Sequence, residues 1–461
     1  MNRRRFLRSG LGILVGTRLV PRIISRRVLA APGHPGANDV LRIGLIGCGI
    51  RGKYLIGNLP PEGRVTAICD CYAPRMAGTL KPEAGSQSAR VLSQFLEHDA
   101  ARCTTCGDYR RMLDEAALDA VIIATPDHHH AHAAMLACQA GLDVYCEKPL
   151  TLTITEGQRL IQAVRNHRRV LQVGSQQRSM EMDRFACQFV RDGKLGRVSH
   201  VELPIWASPL RYQGLPEEPL PEGMEWELFC GPTELRPYNW RLWQKDERNW
   251  EGKRWRGWDM WRDYSGHLVT NWGAHAVDMA QWALGMDASG PVEVEPLAGR
   301  ITADPRTCPM VARYATGTEL RMTGVKGLSA GGLFHGARGR IAVDRNRFRA
   351  DPPDLVTDPP DPAVAEIWQG PGIVARPHLQ NWFDCIKSRA EPNAPVEVGH
   401  RTVTICHLFN IARELRRQIK WDPDRGVIVG DDEAAALLDR PRRIGWGLPS
   451  DDTSDKAGTD K

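Results

Sequence analysis

The chain has 461 residues, 42% of them hydrophobic and 25% charged, with a formal charge of +6. It is too long for one core and too ordinary in composition to be disordered or fibrous, so two globular domains are expected. Its basicity is local: residues 1–31 hold eight arginines and no acid, the remaining 53 basic groups face 55 acidic ones, and this net −2 excludes nucleic acid and anionic membranes as expected partners.

The first stretch, "NRRRFLRSG" (2–10), has the pattern of a twin-arginine export signal, an address for proteins that cross a membrane already folded. A short apolar run, "LGILVG", and small-residue spacing at Val28-Leu29-Ala30 complete a signal peptide over residues 1–31. Export to the periplasm or cell envelope is therefore expected; the alternative is a basic arm on a cytoplasmic protein. No later segment approaches the ~20 apolar residues of a membrane span. Export in the folded state also suits the cysteines. Cys48, Cys69, Cys138, Cys146 and Cys406 fall in core-like runs and read as small buried thiols.

From residue 40 to about 150, strand and helix alternate. "VLRIGLIG", "RVTAICD", "LDAVIIATP" and "GLDVYCEKP" are apolar runs of the kind buried on both faces of a parallel sheet, with helical stretches between them. The pattern predicts a Rossmann-type doubly wound sheet. "GCGIRG" follows the first strand: Gly47 permits a tight turn, Gly49 lets a pyrophosphate approach, and Gly52 lets helix and strand pack closely. Asp70 ends the second strand, where a carboxylate accepts ribose hydroxyls and repels a 2′-phosphate. NAD is thus expected over NADP, although Arg75 lies close enough to weaken the discrimination. "ATPDHHHAH" closes the fourth strand. Its histidines lack a carboxylate or cysteine partner at ligand spacing, so they are read as a neutral cluster lining the cleft, with no metal. "CEKPL" ends the next strand, where Lys148 can hydrogen-bond a substrate hydroxyl and stabilise its alkoxide.

Residues 151–430 read as a second domain, with more helix and strand to residue 200 and an irregular insertion over 204–270. Ten of the fourteen tryptophans lie between Trp206 and Trp282. "NWGAHAVDMAQWALG" (271–285), read as one helix, puts Asn271, His275 and Asp278 on neighbouring faces, with His275 as a base for an alcohol proton. Short β-like runs, a proline-rich loop and two amphipathic helices follow, and the tail over 449–461 reads as disordered.

In this order and spacing, "GCGIRG", "TPDHHHAH", "CEKPL" and the histidine-bearing helix resemble the Gfo/Idh/MocA family, named for glucose–fructose oxidoreductase and inositol dehydrogenase. "QVGSQQRS" (172–179) and "VEVGHRTVTICHLFNIAREL" are similar to its exported, tryptophan-rich branch. The resemblance implies a C-terminal α+β domain with a large open, mostly antiparallel sheet, often an oligomer interface, and an active site between domains. A homo-oligomer is expected accordingly. It implies that Lys148 and His275 are catalytic, and with Asn271 and Asp278, placed beside His275 by helical spacing, they form the expected catalytic set. Cofactor contacts are expected from Gly47, Cys48, Gly49, Ile50, Arg51, Gly52, Asp70, Thr125, Pro126, His128, His130, Glu147, Lys148 and Gln176. Asn271 departs from the family's usual aspartate.

The expected substrate is a sugar, polyol or glycoside hydroxyl. Indole faces pack on the apolar faces of sugar rings, and Lys148, Arg178, Trp258, Asp259, Tyr264 and His275 are the expected contacts. A protein exported folded can carry its NAD with it, so tight retention is expected, with the hydride returned within each cycle. The alternatives are a redox-neutral NAD-dependent glycoside-cleaving enzyme and a sugar-binding protein with a disabled site.

Overall fold

A computed structural model describes residues 40–243, 257–297, 304–361 and 375–450. The expected signal peptide, residues 244–256 of the tryptophan-rich insertion and residues 451–461 of the tail lie outside them.

Six strands form a wholly parallel sheet: β1 (Leu41–Ile46), β2 (Gly63–Cys69), β3 (Thr104–Cys106), β4 (Ala120–Ile123), β5 (Asp143–Cys146) and β6 (Leu171–Val173). Their order, β3-β2-β1-β4-β5-β6, is that of a dinucleotide-binding fold, and β1 and β4 flank the point where the winding reverses. Ile43, Leu45, Val121 and Ile122 are wholly or almost wholly buried, as continuous apolar runs require when helices cover both faces. The sheet runs past the boundary expected near residue 150, because "RVLQV" supplies β6, which pairs with β5. Helix α1 (Ile50–Ile56) follows β1, and α2 (Asp127–Gln139) follows β4. Helix α3 (Ile154–Asn166) begins with a reciprocal cap between Thr153 and Glu156.

The second sheet has nine strands and is antiparallel except where β7 (Val198–Leu203) lies beside β10 (Glu319–Met322). Its order is β13-β12-β11-β7-β10-β9-β8-β14-β15, with β8 (Glu293–Pro296), β9 (Met310–Arg313), β11 (Gly332–Gly336), β12 (Gly339–Val343), β13 (Phe348–Asp351), β14 (Ile419–Asp422) and β15 (Val427–Ile428). One face buries Val201, Leu320, Phe334 and Ile341 against α4 (Glu181–Arg191), α5 (His267–Asn271), α6 (Gly273–Ala283) and α7 (Val396–Leu415). Alternation puts His200, Glu202, Glu319, Arg321 and His335 on the other face. The helix expected over 271–285 is two: α5 ends at Asn271, and α6 starts afresh at Gly273. Among the described residues, no helix is long and apolar enough to cross a membrane.

Candidate active site

The turn after β1 is shaped by its glycines. Gly47 has φ +95°, and a Cβ there would lie 2.6 Å from the Ala124 carbonyl oxygen. A Cβ on Gly52 would meet the Gly47 carbonyl oxygen at 2.1 Å, whereas one on Gly49 would meet nothing within 4 Å. The turn is therefore closed behind and open in front, as a pyrophosphate needs. Asp70 is buried and accepts the backbone N–H groups of Cys48 and Tyr72, each at 2.9 Å. Arg75 lies 3.6 Å from its Oδ1, so a cation does stand beside this carboxylate. The buried Thr125 Oγ1 has no hydrogen-bond partner among the described residues, an orphan that a ligand in this cleft would satisfy. These features fit NAD, with Gly47, Cys48, Gly49 and Asp70 placed to hold it and Ile50 opening α1 beside them.

Arg51, Glu147 and Gln176 come together, but on one another. Glu147 accepts Arg51 Nε at 2.7 Å and Gln176 Nε2 at 2.9 Å, and Gln176 also donates to the Tyr145 hydroxyl at 2.6 Å. This buried network ties the end of β5 to α1 and fixes the backbone from which Lys148 projects.

The expectation that the histidines line the cleft needs correction. His128 and His129 each direct Nε2 to the Phe229 carbonyl, at 2.7 and 2.9 Å. His130 spans the carbonyls of Pro149 (2.7 Å) and Thr125 (2.9 Å), and His132 meets the Tyr109 hydroxyl at 2.8 Å. Burial lowers the pKa of all four, that of His129 to about 3 and that of His132 to about 4. They are neutral braces that lock α2 to neighbouring backbone. His130 positions the Thr125 and Pro149 segments from behind.

Lys148 and the 267–283 segment meet as the motifs implied. Lys148 Nζ donates to Asn271 Oδ1 at 2.7 Å and to the Asn271 carbonyl at 3.0 Å. The break between α5 and α6 exposes that carbonyl, so the end of the short helix and its amide side chain hold the lysine together. Burial lowers the Lys148 pKa, opposed by the charges of Glu147 and Asp127. His275, partly exposed, lies in the first turn of α6, and its ring makes no hydrogen bond to a described residue. Burial first, then the charges of Lys148, Arg345 and Arg51, push its pKa well below 6.5. It is a neutral imidazole with a nitrogen available to accept a proton.

Other assignments change. Asp278 is buried and accepts Arg178 Nε at 2.9 Å on both oxygens and the Thr402 hydroxyl at 3.1 Å, while Arg178 also reaches Asp287 at 2.7 Å. Neither Asp278 nor Arg178 is open to a substrate: one turn beyond His275 on α6, the chain points into the core. Tyr264 is fully buried, its hydroxyl 3.8 Å from Cys230 Sγ. Trp261 is buried and donates Nε1 to the Arg241 carbonyl at 2.6 Å, so it braces the insertion, whereas Trp258 is partly exposed. Asp259 is buried, its carboxylate oxygens accept no hydrogen bond from a described residue, His267 Nδ1 lies 3.9 Å from Oδ2, and burial raises its pKa to about 7.

Two contributors carried no sequence signal as site residues. Asp127 accepts the Ser265 hydroxyl at 2.7 Å, and burial, aided by Asp259, raises its pKa against the pull of Lys148. Arg345, in the turn between β12 and β13, lies over the Trp272 ring at 4.9 Å and lends its charge to the His275 environment. Asp127 was masked by the four histidines beside it, and Arg345 is 70 positions from His275.

A dinucleotide turn, a lysine at the end of a strand of the same sheet, and a histidine brought to it by a second, open-sheet domain define a two-domain oxidoreductase architecture. The model described as "Oxidoreductase family, NAD-binding Rossmann fold" matches residues 41–175, and that described as "Oxidoreductase family, C-terminal alpha/beta domain" matches residues 206–448. The chain belongs to the Gfo/Idh/MocA oxidoreductase family, and its N-terminal domain is the family's NAD-binding domain. Among curated relatives it is 28% identical over 226 residues to a glycosyl hydrolase family 109 protein of Stenotrophomonas maltophilia, covering 46% of this chain and 45% of that one. It is 34% identical over 159 residues to levoglucosan dehydrogenase of Pseudarthrobacter phenanthrenivorans, covering 34% and 39%. The matches thus span under half the length of these relatives. In fold it is similar to the WlbA dehydrogenase from Bordetella pertussis, solved with NADH and UDP-GlcNAcA, at TM-score 0.58 and 17% identity over 85% of this chain and all of that one.

Proposed function

We propose that the protein oxidises a hydroxyl of a sugar, polyol or glycoside, with NAD retained through the cycle. The observation that carries this reading is a lysine held by Asn271 beside a neutral, unpartnered His275. When bound, NAD supplies the hydride acceptor. His275 takes the hydroxyl proton, work worth ~10²–10⁴-fold in rate. The Lys148 ammonium donates to the same oxygen and stabilises its developing negative charge. Asn271 orients Lys148 by accepting two of its three N–H groups, leaving one for the substrate. Partly exposed Trp258 supplies an aromatic face for the sugar ring. The arginine-rich leader supports export with the cofactor aboard, and a homo-oligomer is part of the same proposal.

A redox-neutral cleavage of glycosides is the second reading. It is supported by the glycosyl hydrolase family 109 relative and by the carboxyls of Asp127 and Asp259, whose raised pKa values suit a second proton-transfer step.

The test is to purify the protein without added nucleotide, denature it and quantify NAD against protein. Near-stoichiometric NAD is expected. Sugars are then added to the intact protein without nucleotide while nicotinamide absorbance is followed. Reduction at the bound ring supports the first reading, release of a leaving group without net NADH supports the second, and an inert protein refutes both.

A further inference from the structure

On the face of the second sheet opposite the helices, away from Lys148 and His275, three metal-ligating side chains converge. His200 and Glu202 are two apart on β7, so both project from one face, and His335 on β11 is the register partner of His200. The two imidazoles stack, with centroids 4.1 Å apart and planes 11° from parallel. One ligand atom from each of the three side chains lies within 4.8 Å of the other two.

The hydrogen bonding around them leaves a cation-shaped demand. The Ser199 hydroxyl donates to the His335 carbonyl at 3.2 Å, so at 2.9 Å from His200 Nδ1 it serves as the acceptor of an Nδ1–H. In the neutral ring that leaves the lone pair of His200 on Nε2, which faces Glu202 Oε1 at 3.9 Å. His335 Nε2 is buried, has no hydrogen-bond partner among the described residues, and faces Glu202 Oε2 at 3.6 Å. Both separations exceed a hydrogen bond. Arg321 lies opposite Glu202, but its Nε donates to Glu319 at 2.6 Å, which offsets its charge.

We propose that His200 Nε2, His335 Nε2 and a Glu202 carboxylate oxygen bind a divalent cation of the zinc class, with water in the fourth position. A two-histidine, one-carboxylate set matches zinc's ligand preference, and bonds of about 2.0–2.2 Å would draw ligand atoms now within 4.8 Å of one another to about 3.3 Å apart by side-chain rotation. The Ser199 bond to His200 Nδ1 is the outer-shell contact that fixes the tautomer. The ion would tie β7 to β11 on a surface separate from the nucleotide cleft.

The test uses tag-free full-length protein stripped by chelator and dialysed against zinc chloride or cobalt chloride. One equivalent per chain is expected, with affinity reduced at least about tenfold in Glu202→Gln and lost in His200→Ala and His335→Ala. Glu202→Gln nearly preserves shape, and a metal-free unfolding midpoint equal to wild type shows that its fold is intact. Bound Co²⁺ should give the visible bands of a four-coordinate nitrogen–oxygen site without a thiolate charge-transfer band. A thiolate band would place the ion on cysteines such as Cys103 and Cys106 and overturn the proposal, as would sub-stoichiometric binding or equal affinity in wild type and all three variants.

Discussion

Lys148 is held by an amide where the resemblance implies a carboxylate, and that exchange has a pH signature. An ammonium stabilises an alkoxide only while protonated, and burial has already lowered the Lys148 pKa from 10.5. The alkaline limb of kcat/KM should therefore fall below pH 10.5. Asn271→Asp, which adds a negative charge at the 2.7 Å contact, should move that limb upward, and an unmoved limb would remove Lys148 from the reaction. The acid limb should lie well below pH 6.5, because His275 must be neutral to accept a proton and its pKa is depressed. His275→Ala should cost ~10²–10⁴-fold in kcat with bound NAD unchanged. At this scale, the residues that sit in short motifs could be picked out before their partners were known: Gly47, Gly49 and Asp70 at the nucleotide turn, and Lys148, Asn271 and His275, whose motifs meet across more than a hundred positions. Arg345 and Asp127 could not, because their significance exists only after distant segments meet. Arg178 and Asp278 misled for the complementary reason: charged residues beside a motif look functional until a buried partner is seen.

At the scale of elements, the Arg178–Asp278 pair joins the segment before α4 to α6, and both side chains are at most 4% exposed. Breaking a buried pair strands a charge, so Asp278→Ala should destabilise the fold by about 3–5 kcal/mol by chemical denaturation. Sugar turnover in the surviving folded enzyme should be unchanged; a loss of kcat with intact stability would restore the catalytic role expected from sequence. Asp183 on α4 reads the other way. Its carboxyl accepts the Asn346 N–H at 3.1 Å, and burial raises its pKa to about 8 from 3.8. A raised acid contributes stability that is complete below its unfolded pKa and drains away between about pH 4 and pH 8. Asp183→Asn keeps an acceptor without the titration, so its unfolding midpoint should gain on wild type as pH rises from 5 to 8. The parallel strands were legible because burial on both faces leaves an unbroken apolar run. The helix break at Trp272 and the strand order of the second sheet were not, since short alternating runs specify a face but not a neighbour.

For the whole molecule, the dominant electrostatic fact is how many histidines the fold keeps neutral in its interior. Burial lowers the pKa of His129 and His400 to about 3 and of His132, His378 and His407 to about 4, with His128 lowered as well. His128 and His129 brace α2 against the Phe229 carbonyl, and His378 and His407 meet the carbonyls of Val173 and Thr151. A histidine depressed in the folded state contributes stability that is complete above its unfolded pKa of 6.5 and is lost as pH falls toward the folded value. Each such group withdraws about 1.4 kcal/mol per pH unit in that window. Asp127, Asp183 and Asp259, raised by burial, push the other way, but they are fewer. The balance requires a steep fall in the unfolding midpoint between pH 6.5 and pH 5, measured by calorimetry in buffers of matched ionic strength. His400 isolates one member: its Nδ1 is buried without a partner among the described residues, and its ring packs against Gly157 of α3. His400→Gln should flatten the slope by about one proton's worth. A midpoint independent of pH between 6.5 and 5 would mean that the histidines are charged or solvated in the native state.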